Sequence, residues 1–251
     1  VLGKFYNENR TAIKYKDLPK HLVDALVSTE DERFYDHSGI DAKRTFGAAL
    51  QLGSNGGAST LTQQLAKLLF HGEGSKFRPF RIVQKAKEWI IAIRLERQYT
   101  KNEIIALYFN QVDFVNGAVG IRSAAKVYFN KEPRNLTIEE SALLVGMLTN
   151  PSRFNPNRFP ERALTRRNIV LGQLVRNNHL EESAKAILAK KPIKLDFHPE
   201  SHLDGTATYF REYLRDFMKN WVKENKKPDG EDYDIYGDGL KIYTTIDSKI
   251  Q

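Results

Sequence analysis

Apolar residues recur at three- and four-residue spacing along most of the chain, a pattern that predicts a mainly α protein. Asp17-Leu18-Pro19 reads as a helix start, with Asp17 as cap and Pro19 near the first turn. Leu22, Leu26 and Val27 supply a buried stripe that runs out near Glu30. A second helix is expected after Asp41, ended by Gly53-Ser54-Asn55-Gly56-Gly57. A third is expected from Thr60 to Leu69, capped by Ser59, with Leu61, Leu65 and Leu68 on its apolar face. Ile82, Ala86, Trp89, Ile90 and Ile93 predict a helix from about Arg81 to Gln98.

Thr100-Lys101-Asn102-Glu103 and Thr137-Ile138-Glu139-Glu140 are capping boxes that open two further helices. Pro151 and Pro156 bracket a turn, and helices resume at Pro160 to Asn177, Glu181 to Lys190 and Thr206 to Glu224. The period changes near the end: Leu240, Ile242, Thr244 and Ile246 alternate with Lys241, Tyr243 and Thr245, which predicts a short C-terminal β-strand. A lone strand has no partner in an α domain, so it is expected to lead into something beyond Gln251.

Composition narrows the class. In 251 residues, 41% are apolar, enough for one large domain or two small ones, so disorder is excluded. Cysteine is absent, which excludes a disulfide framework, thiolate metal sites and a cysteine nucleophile. No apolar run approaches the ~18 residues of a spanning helix.

The net charge of +8 makes an anionic partner plausible, whether nucleic acid, a membrane surface or a phosphorylated substrate. The excess is localised. Lys76 to Lys101 holds eight basic residues against two acids, and Arg153 to Arg176 holds six against one, while Asp229 to Asp238 is acidic.

The acids Glu30-Asp31-Glu32 stand where an apolar helix ends. Carboxylates there oppose the helix dipole, which invites a functional explanation. Glu88 lies on the most basic helix, three residues from Lys85 and on the same face. On the third helix Ser59, Gln63 and Lys67 follow one another at four-residue spacing, a hydroxyl, an amide and an amine suited to sugar hydroxyls and phosphate oxygens. With six histidines and no HExxH motif, nothing points to a protein-caged zinc. Ser123-Ala124-Ala125-Lys126 matches SxxK, but no KTG follows, and the match reads as chance.

Glu30-Asp31-Glu32-Arg33-Phe34-Tyr35-Asp36-His37-Ser38-Gly39 resembles the EDxxFxxHxG motif of the peptidoglycan glycosyltransferases, glycosyltransferase family 51, the domain found in class A penicillin-binding proteins. Gly56-Gly57-Ala58-Ser59-Thr60-Leu61-Thr62-Gln63-Gln64-Leu65-Ala66-Lys67 is similar to their GGxSTxTQQLxK. Lys85-Ala86-Lys87-Glu88 resembles RKxxE, Glu103 to Asn110 resembles EILExYLN, and Glu140 to Pro156 resembles the last block. There are departures: Gln84 stands at the Arg of RKxxE, Leu68 at a common Asn, and Asp113, Val115 and Val119 at positions often Tyr, Gly and Tyr.

The resemblance implies a lysozyme-like glycosyltransferase domain with a larger globular lobe and a smaller membrane-proximal lobe. It implies a domain over residues 1–195, with 196–251 forming a helix, an acidic loop and a strand toward a transpeptidase domain in cis. The implied reaction polymerises lipid II onto a growing glycan strand on the extracytoplasmic face of the bacterial cytoplasmic membrane, with inversion and release of undecaprenyl pyrophosphate. Glu30 would be the general base. Ser59, Gln63, Gln64 and Lys67 would position donor sugar and phosphate, and Lys85 with Arg78 or Arg81 would stabilise the pyrophosphate. Glu88 would orient Lys85 or help hold Mg²⁺ or Mn²⁺ on the pyrophosphate, with Asp31 in support.

Two other readings stand beside it. A lysozyme-like hydrolase would also use two carboxylates, but it leaves the cationic helix idle. A basic nucleic-acid-binding module lacks any helix-turn-helix, zinc-finger or RNA-recognition pattern, so no nucleic-acid partner is expected. Leu68-Leu69-Phe70 and Phe77 to Phe80 are candidates to enter a membrane interface.

Overall fold

A computed structural model describes residues 12–42, 59–70, 78–199, 208–235 and 238–245; the side chains of residues 78–82, 208 and 211 are outside that description. The helix expected after Asp41 and the glycines expected to end it lie outside the described residues beyond Ala42. The chain divides into two compact units, Arg10–His198 and the combination of Val1–Asn9 with Pro199–Gln251.

In the larger unit α1 (Lys20–Glu30) buries Leu22, Leu26 and Val27 as the spacing predicts. Its start differs from the expectation. Asp17 closes a 3-10 turn, Tyr15–Asp17, and the extended Pro19 occupies the N-cap. The other helices are α2 (Leu61–Phe70), α3 (Arg78–Gln98), α4 (Lys101–Gln111), α5 (Ile121–Phe129), α6 (Ile138–Met147), α7 (Pro160–Arg176) and α8 (Glu182–Lys190). Both capping boxes form as read, Thr100 with Glu103 and Thr137 with Glu140.

The core gathers around α6, whose residues 141–147 are all buried; α1 and α7 pack on it and on each other, and α2 lies between α3 and α4. The sequence pattern misses α5. Its bounds are nonetheless marked by Gly120 as N-cap at φ 82° and Asn130 as a left-handed C-cap, and Ser123 of the SxxK run is buried within it. Asn110 at the end of α4 clamps the chain ahead of α1, accepting from Ile13 N–H at 2.8 Å and donating to its carbonyl at 3.0 Å. The turn after α4 carries Val115 at φ 57°, a left-handed conformation costly for a β-branched residue, at one of the positions that departs from the glycine of the motif.

The apolar face of α3 is not the expected one. Ala92, Leu95 and Glu88 are buried, while Ala86 is exposed and Ile90 is 54% exposed. The spacing of large aliphatic residues misled because the inward stripe contains a small residue and a carboxylate.

In the second unit α9 (Thr208–Glu224) is followed by a turn closed by a bridge between Lys226 and Asp232, with the Trp221 and Tyr233 rings 5.2 Å apart. Of the expected terminal strand, described residues 239–245 form no ladder with other described residues, and Tyr243 is 88% exposed. Alternation marks a strand only where a neighbour takes up its backbone donors and acceptors.

Candidate active site

The end of α1 and the start of α2 are tied together by the acid cluster. Asp31 is fully buried, and its Oδ2 accepts the Leu61 N–H at 2.9 Å, in the first turn of α2. The carboxylate that opposed the dipole of its own helix therefore serves the N-terminus of the next one. His37 Nε2 lies 3.1 Å from the same oxygen.

Thr60, not Ser59, caps α2: its Oγ1 accepts from the Gln63 N–H at 3.2 Å and donates to the Gly39 carbonyl at 2.7 Å. Gly39 has φ 89°, and a Cβ there would lie 2.9 Å from the backbone of Ala92 in α3. Only glycine lets this loop pass so close to α3. Lys101 completes the frame. Its ammonium donates to the His37 carbonyl at 2.6 Å, pairs with Glu96 at 2.8 Å and sits 4.3 Å from the Phe34 ring centroid.

Glu30, next to Asp31, is half-buried and points the other way. Gln64 Nε2 donates to its Oε2 at 3.0 Å, and the buried Tyr108 hydroxyl from α4 donates to Gln64 Oε1 at 3.0 Å. Burial, and then the charge of Glu30, raise the Tyr108 phenol well above its usual range, so it stays protonated.

Ser59, spared from capping, accepts from Lys85 Nζ at 2.7 Å, and the same ammonium pairs with Glu88 at 3.0 Å. The Glu88 side chain is 10% exposed and that of Lys85 39%, so a largely buried carboxylate fixes a cation that still reaches solvent.

The structure thus brings together Glu30, Asp31, Ser59, Gln64, Lys85 and Glu88. Gln63 departs from the polar face expected of it: it is buried, with Nε2 directed at the Gly39 carbonyl at 3.3 Å. Lys67 is exposed one turn on. Arg78 and Arg81 stand in the first turn of α3, with side chains outside the described residues. Sequence reading missed Tyr108, although it lies within the fourth motif.

Among the described residues no three His, Cys, Asp or Glu side chains converge to hold a metal ion. Glu88 pairs with Lys85, so the described residues do not build a protein cage for Mg²⁺ or Mn²⁺.

The second basic stretch is partly engaged in the fold, while Arg153, Arg158, Arg162 and Arg176 stay exposed. Arg167 is 1% exposed and donates to the Leu188 and Ala189 carbonyls at the end of α8; Arg158 and Arg162 lie over Phe159, and Arg153 and Arg166 over Phe154. Of the positive charge that the sequence sets aside for a partner, Arg167 serves the fold.

The last turn of α2 leaves Leu68, Leu69 and Phe70 exposed by 43%, 37% and 59%. Leu68 therefore does not belong to the buried face of the helix, which Leu61, Leu65 and Ala66 form. Among the described residues no helix is long and apolar enough to cross a membrane.

Comparison with known proteins agrees with the motifs. The family model described as Transglycosylase matches residues 1–175. Over its whole length the chain is 33% identical to penicillin-binding protein 1A of Vibrio cholerae, of which it covers 29%. It is 35% identical to penicillin-binding protein 1A of Streptococcus oralis, of which it covers 39%. It is also 35% identical to penicillin-binding protein 1A of Escherichia coli, of which it covers 28%. The chain therefore spans about a third of the length of these relatives. A crystal structure of penicillin-binding protein 1A from Haemophilus influenzae shares the fold, with a TM-score of 0.53 at 21% identity over 92% of this chain and 24% of that one.

Proposed function

Since the chain belongs to the transglycosylase family, matched over residues 1–175, we propose that it is a peptidoglycan glycosyltransferase that polymerises lipid II into β-1,4 glycan strands. The observation that carries this reading is the pairing, through the start of α2, of the Glu30 carboxylate held by Gln64 with the Lys85 ammonium held by Ser59 and Glu88. A glycosyl transfer that expels pyrophosphate needs a base for the attacking hydroxyl and a cation for the leaving group, and this site offers one of each.

In this reading Glu30 takes the proton of the 4-hydroxyl of the acceptor N-acetylglucosamine. The freed oxygen attacks C1 of the donor chain's terminal sugar as the bond from C1 to the phosphate oxygen breaks, which inverts the anomeric centre. Undecaprenyl pyrophosphate leaves with the electron pair. An ammonium has three donors; Ser59 and Glu88 take two of those of Lys85, and the third meets a pyrophosphate oxygen, aided by Arg78 or Arg81. Gln64 and Lys67 line the donor side. Glu88, beside Lys85, would help hold a divalent cation bound to the pyrophosphate, which would supply further charge neutralisation for the leaving group; no step above depends on it.

The lipid tail sets the location. The exposed Leu68-Leu69-Phe70 turn would dip into the outer surface of the bacterial cytoplasmic membrane, with residues 196–251 leading toward a transpeptidase domain. Incubating the chain with lipid II tests the proposal. Gel-resolved glycan that disappears with moenomycin is expected, whereas muropeptide release from purified cell wall without polymer would mean a hydrolase.

A further inference from the structure

The Tyr108 hydroxyl, the Gln64 amide and the Glu30 carboxylate form an ordered series reaching from the core to the site, each link 3.0 Å long. An amide side chain has an acceptor end and a donor end, and nothing in its own shape decides which end faces the base. Here the core decides. Tyr108 is 3% exposed, so its hydroxyl has no bulk water to bond, and it gives its proton to Gln64 Oε1. The Nε2 end is then left to face Glu30, where an N–H donor favours the charged carboxylate and a carbonyl oxygen would disfavour it.

We propose that Tyr108 is a positioning residue that sets the sense of the Gln64 amide, and so holds its N–H donor on the Glu30 carboxylate and aims that carboxylate. The proposal rests on Glu30 being the general base. Among the described residues, these ionisable groups near the site are engaged with other partners or exposed. Asp31 faces Leu61 N–H and His37, Arg33 pairs with Asp41, and Lys85 pairs with Glu88. Glu32 and Lys67 are exposed to solvent.

The test is the pH dependence of lipid II polymerisation by Tyr108→Phe, which removes one hydroxyl and keeps the ring. The acid limb of kcat/KM is expected to move up by about half to one pH unit. KM is expected to change less than about twofold and the plateau kcat less than about threefold, because the substrate contacts stay in place. Gln64→Met, on a half-buried helix position, should move the limb in the same direction, and Tyr108→Phe should add nothing in that background.

A uniform fall in rate at every pH, or a Tyr108→Phe shift that persists unchanged in Gln64→Met, would overturn the proposal. If Tyr108→Phe fails to fold, judged by circular dichroism, Gln64→Met alone still decides through its acid limb. Failure of the underlying reading is separately visible, since Glu30→Gln would then polymerise lipid II normally.

Discussion

The Asp31 carboxylate receives the Leu61 N–H at 2.9 Å, across 30 residues of sequence, so the end of one helix caps the start of another. Glu30 and α2 are thereby fixed to each other. Asp31→Ala should cost about 2–3 kcal/mol, the price of an orphaned buried donor together with a lost charge–dipole contact. Asp31→Asn, which keeps an oxygen acceptor, should cost about 1 kcal/mol. Chemical denaturation measures both; equal stability of Asp31→Ala and wild type would remove the cap from the account.

Gly39 and Gly172 should respond in opposite directions to alanine. At Gly39 the left-handed backbone and the approach to Ala92 make alanine cost about 2–4 kcal/mol. In α7 the added methyl of Gly172→Ala meets nothing within 4 Å, so a gain of about 0.5–1 kcal/mol is expected from helix propensity. Thermal unfolding midpoints should separate the pair by several degrees.

Lys85 should matter to rate more than to fold. Lys85→Met removes the cation offered to the pyrophosphate, and kcat for polymerisation should fall about 100-fold or more. Ser59→Ala removes one contact of that ammonium and should cost less than about tenfold. Single-turnover measurements on lipid II distinguish the two; similar losses would assign Ser59 a direct role.

Arg167 should behave as a core residue despite its charge. Burial lowers its proton affinity, and its guanidinium caps α8 through the Leu188 and Ala189 carbonyls. Arg167→Met should destabilise by about 2–3 kcal/mol with little change in KM for lipid II. A raised KM at full stability would return this arginine to the anionic partner.

Most of the helices, α5 excepted, and both capping boxes were legible because they depend on neighbours three and four residues apart. Glu30 and Lys85, the carboxylate and the cation of the proposed mechanism, stand out through the motifs that resemble the family's. What stayed hidden depends on contacts distant in sequence. Asp31 looks misplaced at the end of α1 until Leu61 arrives from 30 residues away, and Gln63 looks like its neighbour Gln64 until Gly39 turns it inward. Charge counting likewise could not see that four arginines of the second basic stretch lie over Phe154 and Phe159, or that Arg167 is buried. Tyr108 reads as a core aromatic in every local pattern, and only its hydroxyl, pointing at Gln64, marks it as part of the site.

In the proposed mechanism the Glu30 carboxylate is the base of the glycosyl transfer. The most direct measurement is glycan formation from lipid II by Glu30→Gln, which keeps the shape of the side chain and removes its basicity. A loss of about 100-fold or more in kcat, with the fold intact by circular dichroism, is the expected result. Polymer formation within a fewfold of wild type would contradict it.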